Sequence, residues 1–273
     1  MKKVLTIAGS DCSGGAGIQA DLKTFSAHGV FGMSVIVSVV AENTSRVISI
    51  QDITPDMIEK QIDAVFEDIE VDAVKVGMLS TPDCMKAVAE KLARYKPQNV
   101  VIDPVMYAKN GCPLMEPEAV DTLVETIIPL ADVLTPNIPE AEKITHMPIC
   151  TVDDMEAAAI KIYSMGSKAV VIKGGHSAGS ALDVLYDGNE IFRFDTARIN
   201  TKNTHGTGCT FSSAVASQLA KGMCVSEAVR YAKSYVTMAI KHSLEIGKGH
   251  GPTHHFYNLY KFGLLKETLG EKK

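Results

Sequence analysis

Short apolar runs alternating with longer stretches of helical periodicity constrain this chain more than any other feature. Residues 4–8, 34–41, 73–76, 99–102, 132–134 and 168–172 are brief runs rich in Val, Ile, Leu and Ala. Helical patterns lie between them, such as 18–28. Another is 55–66, where Pro55 opens the first turn and Met57, Ile58, Ile62, Val65 and Phe66 share one side. Strands that alternate with helices demand right-handed crossovers and a mainly parallel sheet covered on both faces. Residues 47–53 predict a short edge strand. Residues 181–186 and 190–194, joined at Asp187-Gly188-Asn189, predict an antiparallel hairpin at the sheet edge. In the last third, 206–220 reads as one helix closed by Lys221 and Gly222. Ser226 is expected to cap the next helix, whose Val229, Ala232, Val236 and Ile240 recur at helical spacing. No linker, repeat or low-complexity tract interrupts the pattern, so one domain over residues 1–273 is expected.

Composition removes several function classes. Lys and Arg total 27 against 32 Asp and Glu, a net charge of −5, which leaves no basic footprint for nucleic acid or anionic membrane. No apolar stretch approaches the length of a spanning helix, and the run at 4–8 is too short for a signal-peptide core. The six cysteines (Cys12, Cys84, Cys112, Cys150, Cys209, Cys224) show no CxxC pairing. A reducing cytoplasm is therefore the expected setting.

In an open parallel sheet, ligands sit beyond the carboxyl ends of the strands. The chemistry-bearing residues follow strands as that rule requires: 9–21, Glu42, Gly77-Met78, Asp103-Pro104-Val105, Pro136-Asn137 and Lys173-Gly174-Gly175-His176. Two glycine-rich loops compete to be the phosphate cradle. In the first loop, Gly15-x-Gly17-x-x-Ala20 matches a dinucleotide fingerprint, and Glu42 stands where a ribose-binding acid would. Six residues separate the strand end from Gly15, however, where a dinucleotide turn starts at once. The second loop, Thr204-His-Gly-Thr-Gly-Cys-Thr210, opens a helix whose first N–H groups and partial positive charge favour an anion. Cys209 sits in that first turn, a position that commonly lowers a thiol pKa. The loop lacks the GxxxxGK[ST] pattern, so it is not a P-loop.

Together, Gly14-Gly-Ala-Gly-Ile-Gln-Ala-Asp-Leu-Lys-Thr-Phe25, Val101-Ile-Asp-Pro-Val-Met106, Thr135-Pro-Asn-Ile-Pro-Glu-Ala141, Lys173-Gly-Gly-His176 and His205-Gly-Thr-Gly-Cys-Thr210 resemble one family. It is the hydroxymethylpyrimidine/phosphomethylpyrimidine kinases of thiamine biosynthesis, in the ribokinase superfamily and close to the pyridoxal kinases. The resemblance runs over nearly the whole chain. It implies a ribokinase-like three-layer αβα sandwich. It also implies ATP-dependent phosphorylation of 4-amino-5-hydroxymethyl-2-methylpyrimidine and then of its monophosphate. Cys209 takes the place of the superfamily's usual Asp base, and Gly206, Thr207 and Gly208 form the loop around the moving phosphoryl group. Gly9, Asp21, Glu42, Met78 and Val105 are expected to meet the pyrimidine. Asp103, Asn137, Lys173, Thr207 and Lys233 are expected near ATP, and Asp103 and Glu140 near Mg²⁺. A homodimer is expected by analogy with the superfamily's small members.

The chain departs from the family in one motif. Ala41-Glu42-Asn43-Thr44 stands where Ala-Gln-Asn-Thr is usual. Glu keeps the length and an acceptor but lacks the amide donor. Three readings stay open at this level: pyrimidine kinase (with pyridoxal kinase as its near alternative), nicotinamide dehydrogenase, and non-catalytic pyrimidine sensor. The tail histidines His250, His254 and His255 read as a turn packed near the site rather than as a metal centre.

Overall fold

Alternation of side chains along the central strands divides the core in two. The computed structural model describes residues 1–109, 111–116, 118–175 and 181–264. Its main sheet has eight strands: β1 (Lys3–Ala8), β2 (Phe31–Ile36), β5 (Ala73–Val76), β6 (Val100–Ile102), β7 (Val133–Leu134), β8 (Val170–Lys173), β9 (Asp183–Tyr186) and β10 (Ile191–Phe194). The order is β10-β9-β8-β7-β6-β5-β1-β2. Pairings from β2 to β8 are parallel, while β8–β9 and β9–β10 are antiparallel. Val4, Ala73, Val101, Val133 and Val171 face one apolar layer. There, helices α1 (Gly17–Ala27), α7 (Thr207–Ala220) and α8 (Val225–Lys241) bury Phe25, Phe211, Val215 and Val229. Leu5, Val74, Ile102, Leu134 and Ile172 face the other layer. It is closed by α2 (Pro55–Phe66), α3 (Pro82–Tyr95), α4 (Ala119–Thr122) with the turns that follow it, α5 (Ile138–Thr145) and α6 (Val152–Tyr163). The architecture is the expected αβα sandwich, and the edge hairpin is present.

Two strand expectations need correction. The run 34–41 is not one strand. At Ile36 the backbone turns to the Gln61 side chain of α2, which both donates to and accepts from it at 3.0 Å. Beyond Val37 the chain leaves the main sheet as β3 (Ser38–Glu42) and pairs antiparallel with β4 (Val47–Asp52). The predicted edge strand at 47–53 therefore belongs to this separate two-stranded ribbon. The start of α8 also differs: its N-cap is Cys224, and Ser226 lies inside the first turn.

Candidate active site

The first glycine loop is filled by the protein itself. Asp11 is buried, and its carboxylate accepts from the backbone N–H groups of Ser13 (2.7 Å), Gly15 (2.9 Å) and Ala16 (2.7 Å). Its Oδ2 also lies 2.8 Å from His205 Nε2. Burial opposes ionisation of Asp11, but these bonds outweigh it and hold its pKa well below the usual carboxylate range. The amides that a dinucleotide pyrophosphate would need are thus already occupied. The glycines serve close packing instead. A Cβ at Gly15 would run into the His205 ring, and one at Gly17 (φ +55°) would sit 2.5 Å from the Gly9 carbonyl. This argues against the dehydrogenase reading.

The second loop interlocks with the first. Gly206 adopts φ +75°, and a Cβ there would strike the Gly15 carbonyl, so only glycine fits. From this turn α7 starts with its first N–H groups beyond the reach of any i−4 carbonyl. The Thr207 hydroxyl donates to Thr204 O (2.7 Å) and so braces the turn. Cys209 is reached by the Gly17 N–H, so the two helix starts converge on its sulfur. The expected low pKa of this thiol is not what the structure gives. Burial pushes Cys209 up to about 12, although Lys75 pulls in the other direction.

On one side of Cys209 a small cavity opens. Gly9, Glu42, Lys75, Met78, Val105 and Cys209 are among the residues that line it. Four of the five residues expected to meet the pyrimidine are here. The fifth, Asp21, is not. It is fully buried, accepts from Thr6 Oγ1 (2.6 Å), Lys75 Nζ (2.9 Å) and Ser213 Oγ (2.7 Å), and contributes no surface to the cavity. The Glu42 carboxyl is raised to about 7, because burial and the neighbouring Asp11 charge disfavour its anion. Among the described residues, Asp11, Glu42 and His205 bring one ligand-type atom each within 4.8 Å of one another. His205 Nε2 and the Asp11 oxygens are already engaged in the bonds above, which makes this a hydrogen-bonded brace between the loops.

On the other side lie the remaining polar groups. Lys173 Nζ pairs with Asp103 Oδ1 at 2.7 Å, and a Cβ at Gly208 would approach Asp103 Oδ2 at 3.2 Å and Lys173 Nζ at 3.4 Å. The second loop therefore rests directly on this ion pair. Burial disfavours the Lys173 cation, but Asp103 and Glu140 outweigh it and raise its pKa. Asn137 caps α5: its Oδ1 accepts from Glu140 N (3.0 Å), and Glu140 Oε2 accepts from Asn137 N (2.8 Å). Glu140 is buried, and its carboxyl rises to about 7, through desolvation and the Asp103 charge. Two buried carboxylates sharing one lysine are a donor set that fits a hard cation, held directly or through water.

Lys233 is not free for a nucleotide. It donates to Ala181 O (2.6 Å) and to Asp183 Oδ2 (2.8 Å), and Asp183 also accepts from Gly174 N. It clamps the base of the hairpin behind Gly174. His176 of the Lys173-Gly-Gly-His motif lies outside the described residues. The tail histidines do not converge. His250 Nδ1 meets Lys202 O, His255 Nε2 meets Thr210 Oγ1, and His254 packs on Tyr257. The tail does touch the loop, through His205 N to Gly251 O at 3.1 Å.

A wider cleft lies at the other end of the sheet, where Lys2, Asp72 and Asn99 precede β1, β5 and β6. It contains none of these groups, and its Lys2–Asp72 pair is an exposed surface bridge.

Comparison with known proteins agrees with this geometry. The family model described as phosphomethylpyrimidine kinase matches residues 11–254. The chain belongs to the phosphomethylpyrimidine kinase family. The hydroxymethylpyrimidine/phosphomethylpyrimidine kinase of Bacillus subtilis is 48% identical over 256 residues, covering 93% of this chain and 94% of that protein. The thiamine biosynthesis bifunctional protein ThiED of Geobacter sulfurreducens is 49% identical over 92% of this chain, which spans 52% of that longer protein. Among solved structures, the ADP complex of Bacillus subtilis pyridoxal kinase superposes with a TM-score of 0.88 at 45% identity, covering 94% of this chain and 98% of that one. Membership of the phosphomethylpyrimidine kinase family makes the chain a phosphotransferase with a ribokinase-like fold. No helix among the described residues is long and apolar enough to cross a membrane.

Residue-level reading missed Asp11, His205 and Lys75. Lys75 was visible as the one charge in the four-residue strand Ala73–Val76. Asp11 and His205 left no comparable mark, because their partnership spans 194 positions.

Proposed function

We propose that this chain, acting as a single kinase domain, transfers the γ-phosphoryl group of ATP to the hydroxymethyl oxygen of 4-amino-5-hydroxymethyl-2-methylpyrimidine. It then transfers a second one to the resulting monophosphate, yielding the diphosphate for thiamine biosynthesis. One observation carries this reading. The start of α7 stands between a small cavity lined by Gly9, Glu42, Met78 and Val105 and the Asp103–Lys173–Glu140 cluster. An acceptor on one side and a nucleotide on the other would meet at the N–H groups of Gly208 and Cys209. In the first transfer the new bond joins the hydroxymethyl oxygen to phosphorus, the bond from phosphorus to the β,γ-bridging oxygen breaks, and Cys209 in its thiolate form takes the hydroxyl proton to become the neutral thiol. The second acceptor is a phosphate oxygen that is already anionic, so it has less need of a base. Lys173 neutralises phosphate charge as a point cation. Asp103 and Glu140 would hold Mg²⁺, which supplies charge neutralisation between the phosphates when bound.

Pyridoxal is the second candidate acceptor, favoured by the likeness to the Bacillus subtilis pyridoxal kinase. Coupled ADP release with hydroxymethylpyrimidine, its monophosphate and pyridoxal tests both. The reading expects kcat/KM to be highest for the two pyrimidines. A higher value for pyridoxal overturns the substrate assignment, and no turnover with any of them overturns the kinase reading. We further propose that the protein is cytoplasmic and pairs with a second copy. The exposed Phe31, Val39 and Ile48 on β2, β3 and β4 supply apolar surface for that contact. Light scattering coupled to gel filtration reads the mass directly.

A further inference from the structure

The α1/α7 side of the sheet contains a polar island that folding alone does not require. Val4, Val101, Val133 and Val171 make that face apolar on β1, β6, β7 and β8. On β5 and β1 the register pairs Lys75 with Thr6 instead, and both are fully buried. Lys75 Nζ donates to Asp21 Oδ2, and Asp21 also accepts from Thr6 on the sheet and Ser213 on α7. Taking an ammonium and a carboxylate out of water costs several kcal/mol each, and an apolar pair of like volume is often as stable.

The pair is also oriented. The Lys75 side chain climbs toward the carboxyl end of β5, where a Cβ at Gly77 would lie 2.6 Å from Nζ, and it reaches the cavity that Cys209 also lines. Asp21 is tied to Ser213, one turn further along α7 than Cys209. The positive end of the buried pair therefore faces the sulfur, and the negative end faces away from it.

We propose that Lys75 is a positioning residue for the first phosphoryl transfer, its ammonium held by Asp21 beneath the cavity so that Cys209 can accept the hydroxyl proton as the new oxygen–phosphorus bond forms. This rests on the reading of Cys209 as the base. Four charged groups act electrostatically on the sulfur: Lys75 from β5, Asp21 from α1, Asp103 beyond β6 and Lys173 at the end of β8. Lys75 is the largest influence that favours the thiolate, while Asp21 and Asp103 oppose it.

The test measures iodoacetamide alkylation of Cys209 at pH 8 in the ligand-free full chain, resolved by peptide mass spectrometry, with exposed Cys12 as the internal control. Alkylation follows the thiolate fraction. The double variant Lys75→Met/Asp21→Asn removes both charges at similar volume. It is expected to slow Cys209 alkylation about ten-fold, one pKa unit's worth. It should slow the first transfer similarly, leave KM for ATP unchanged, and regain rate as pH rises. Asp21→Asn alone removes the opposing charge and is expected to speed alkylation, a change of opposite sign that a merely structural pair would not give. It also keeps the test decisive if the double variant does not fold. Unchanged alkylation in a folded variant, while Cys209→Ala still slows the first transfer, overturns the role of Lys75. A wild-type first transfer in Cys209→Ala overturns the base reading, and the role of Lys75 with it.

Discussion

The two glycine-rich loops look alike on paper and do opposite work. Both open a helix, and both spend glycines on positive φ. In the first, the Asp11 carboxylate already occupies the amides of Ser13, Gly15 and Ala16. In the second, the N-cap of the helix is Gly206, which has no side chain to offer its first N–H groups. A glycine pattern thus reports that backbone comes close to something. Whether that something is a ligand or the protein itself depends on whether a carboxylate fills the turn from within.

Breaking the second loop should have the largest effect. Gly206→Ala adds a Cβ that strikes the Gly15 carbonyl at a left-handed φ. It should lower kcat with hydroxymethylpyrimidine by more than about a thousand-fold, since displaced oxyanion-type donors alone are worth 10²–10³. The matched change Gly14→Ala in the first loop shares the left-handed backbone (φ +81°), but its Cβ meets only the flexible end of Lys23. ADP release should show it several-fold less damaging, and equal losses in the two variants would remove the contrast.

Cys209→Ala comes next. The first transfer should fall about a hundred-fold, within the range of general base catalysis, and the second much less. The quantity to follow is the ratio of the two rates by ³¹P NMR.

Asp11→Ala tests the filled loop. It strands three backbone amides and His205, which should cost roughly 2–4 kcal/mol by denaturant melting. Activity should decline only as far as the second loop, which packs on the first, loses its footing. An unchanged midpoint would show that the carboxylate is not what holds the turn.

A smaller, pH-dependent effect separates Glu42 from its amide counterpart. The folded protein holds the Glu42 proton up to about 7, whereas the unfolded chain releases it near the ordinary 4.5. The folded state therefore binds more protons across that window, and stability falls as pH rises through it. Glu140 acts in the same direction. Glu42→Gln should flatten part of this slope and raise the melting temperature at pH 8 while changing it little at pH 4. Smallest of all, Thr207→Val removes one hydroxyl bond to Thr204 and should cost about 1 kcal/mol in stability.

Much of this was legible in the residues. Three-residue strands such as Val100–Ile102 are short but wholly apolar, and that is enough to mark a buried parallel strand. The hairpin showed itself in Asp187-Gly188-Asn189, and the start of α7 in the glycines of the second loop. What could not be read was partnership across sequence distance. Asp21 and Lys233 carry the charges expected of ligand contacts, yet each is already satisfied inside the protein, by Lys75 and by Asp183. Cys209 lies at the helix start that should favour a thiolate, but its burial counts for more than its position on the helix. Residue 36, too, carries no mark of the break after it, because the partner that captures its backbone is Gln61 on another element.

That break has an evolutionary consequence. Glu42, which lines the small cavity beside Cys209, is mounted on a ribbon whose strand pairing is separate from that of the eight-stranded sheet. Substitutions there can reshape the cavity wall while the Asp103–Lys173 pair, anchored at the ends of main-sheet strands, stays untouched.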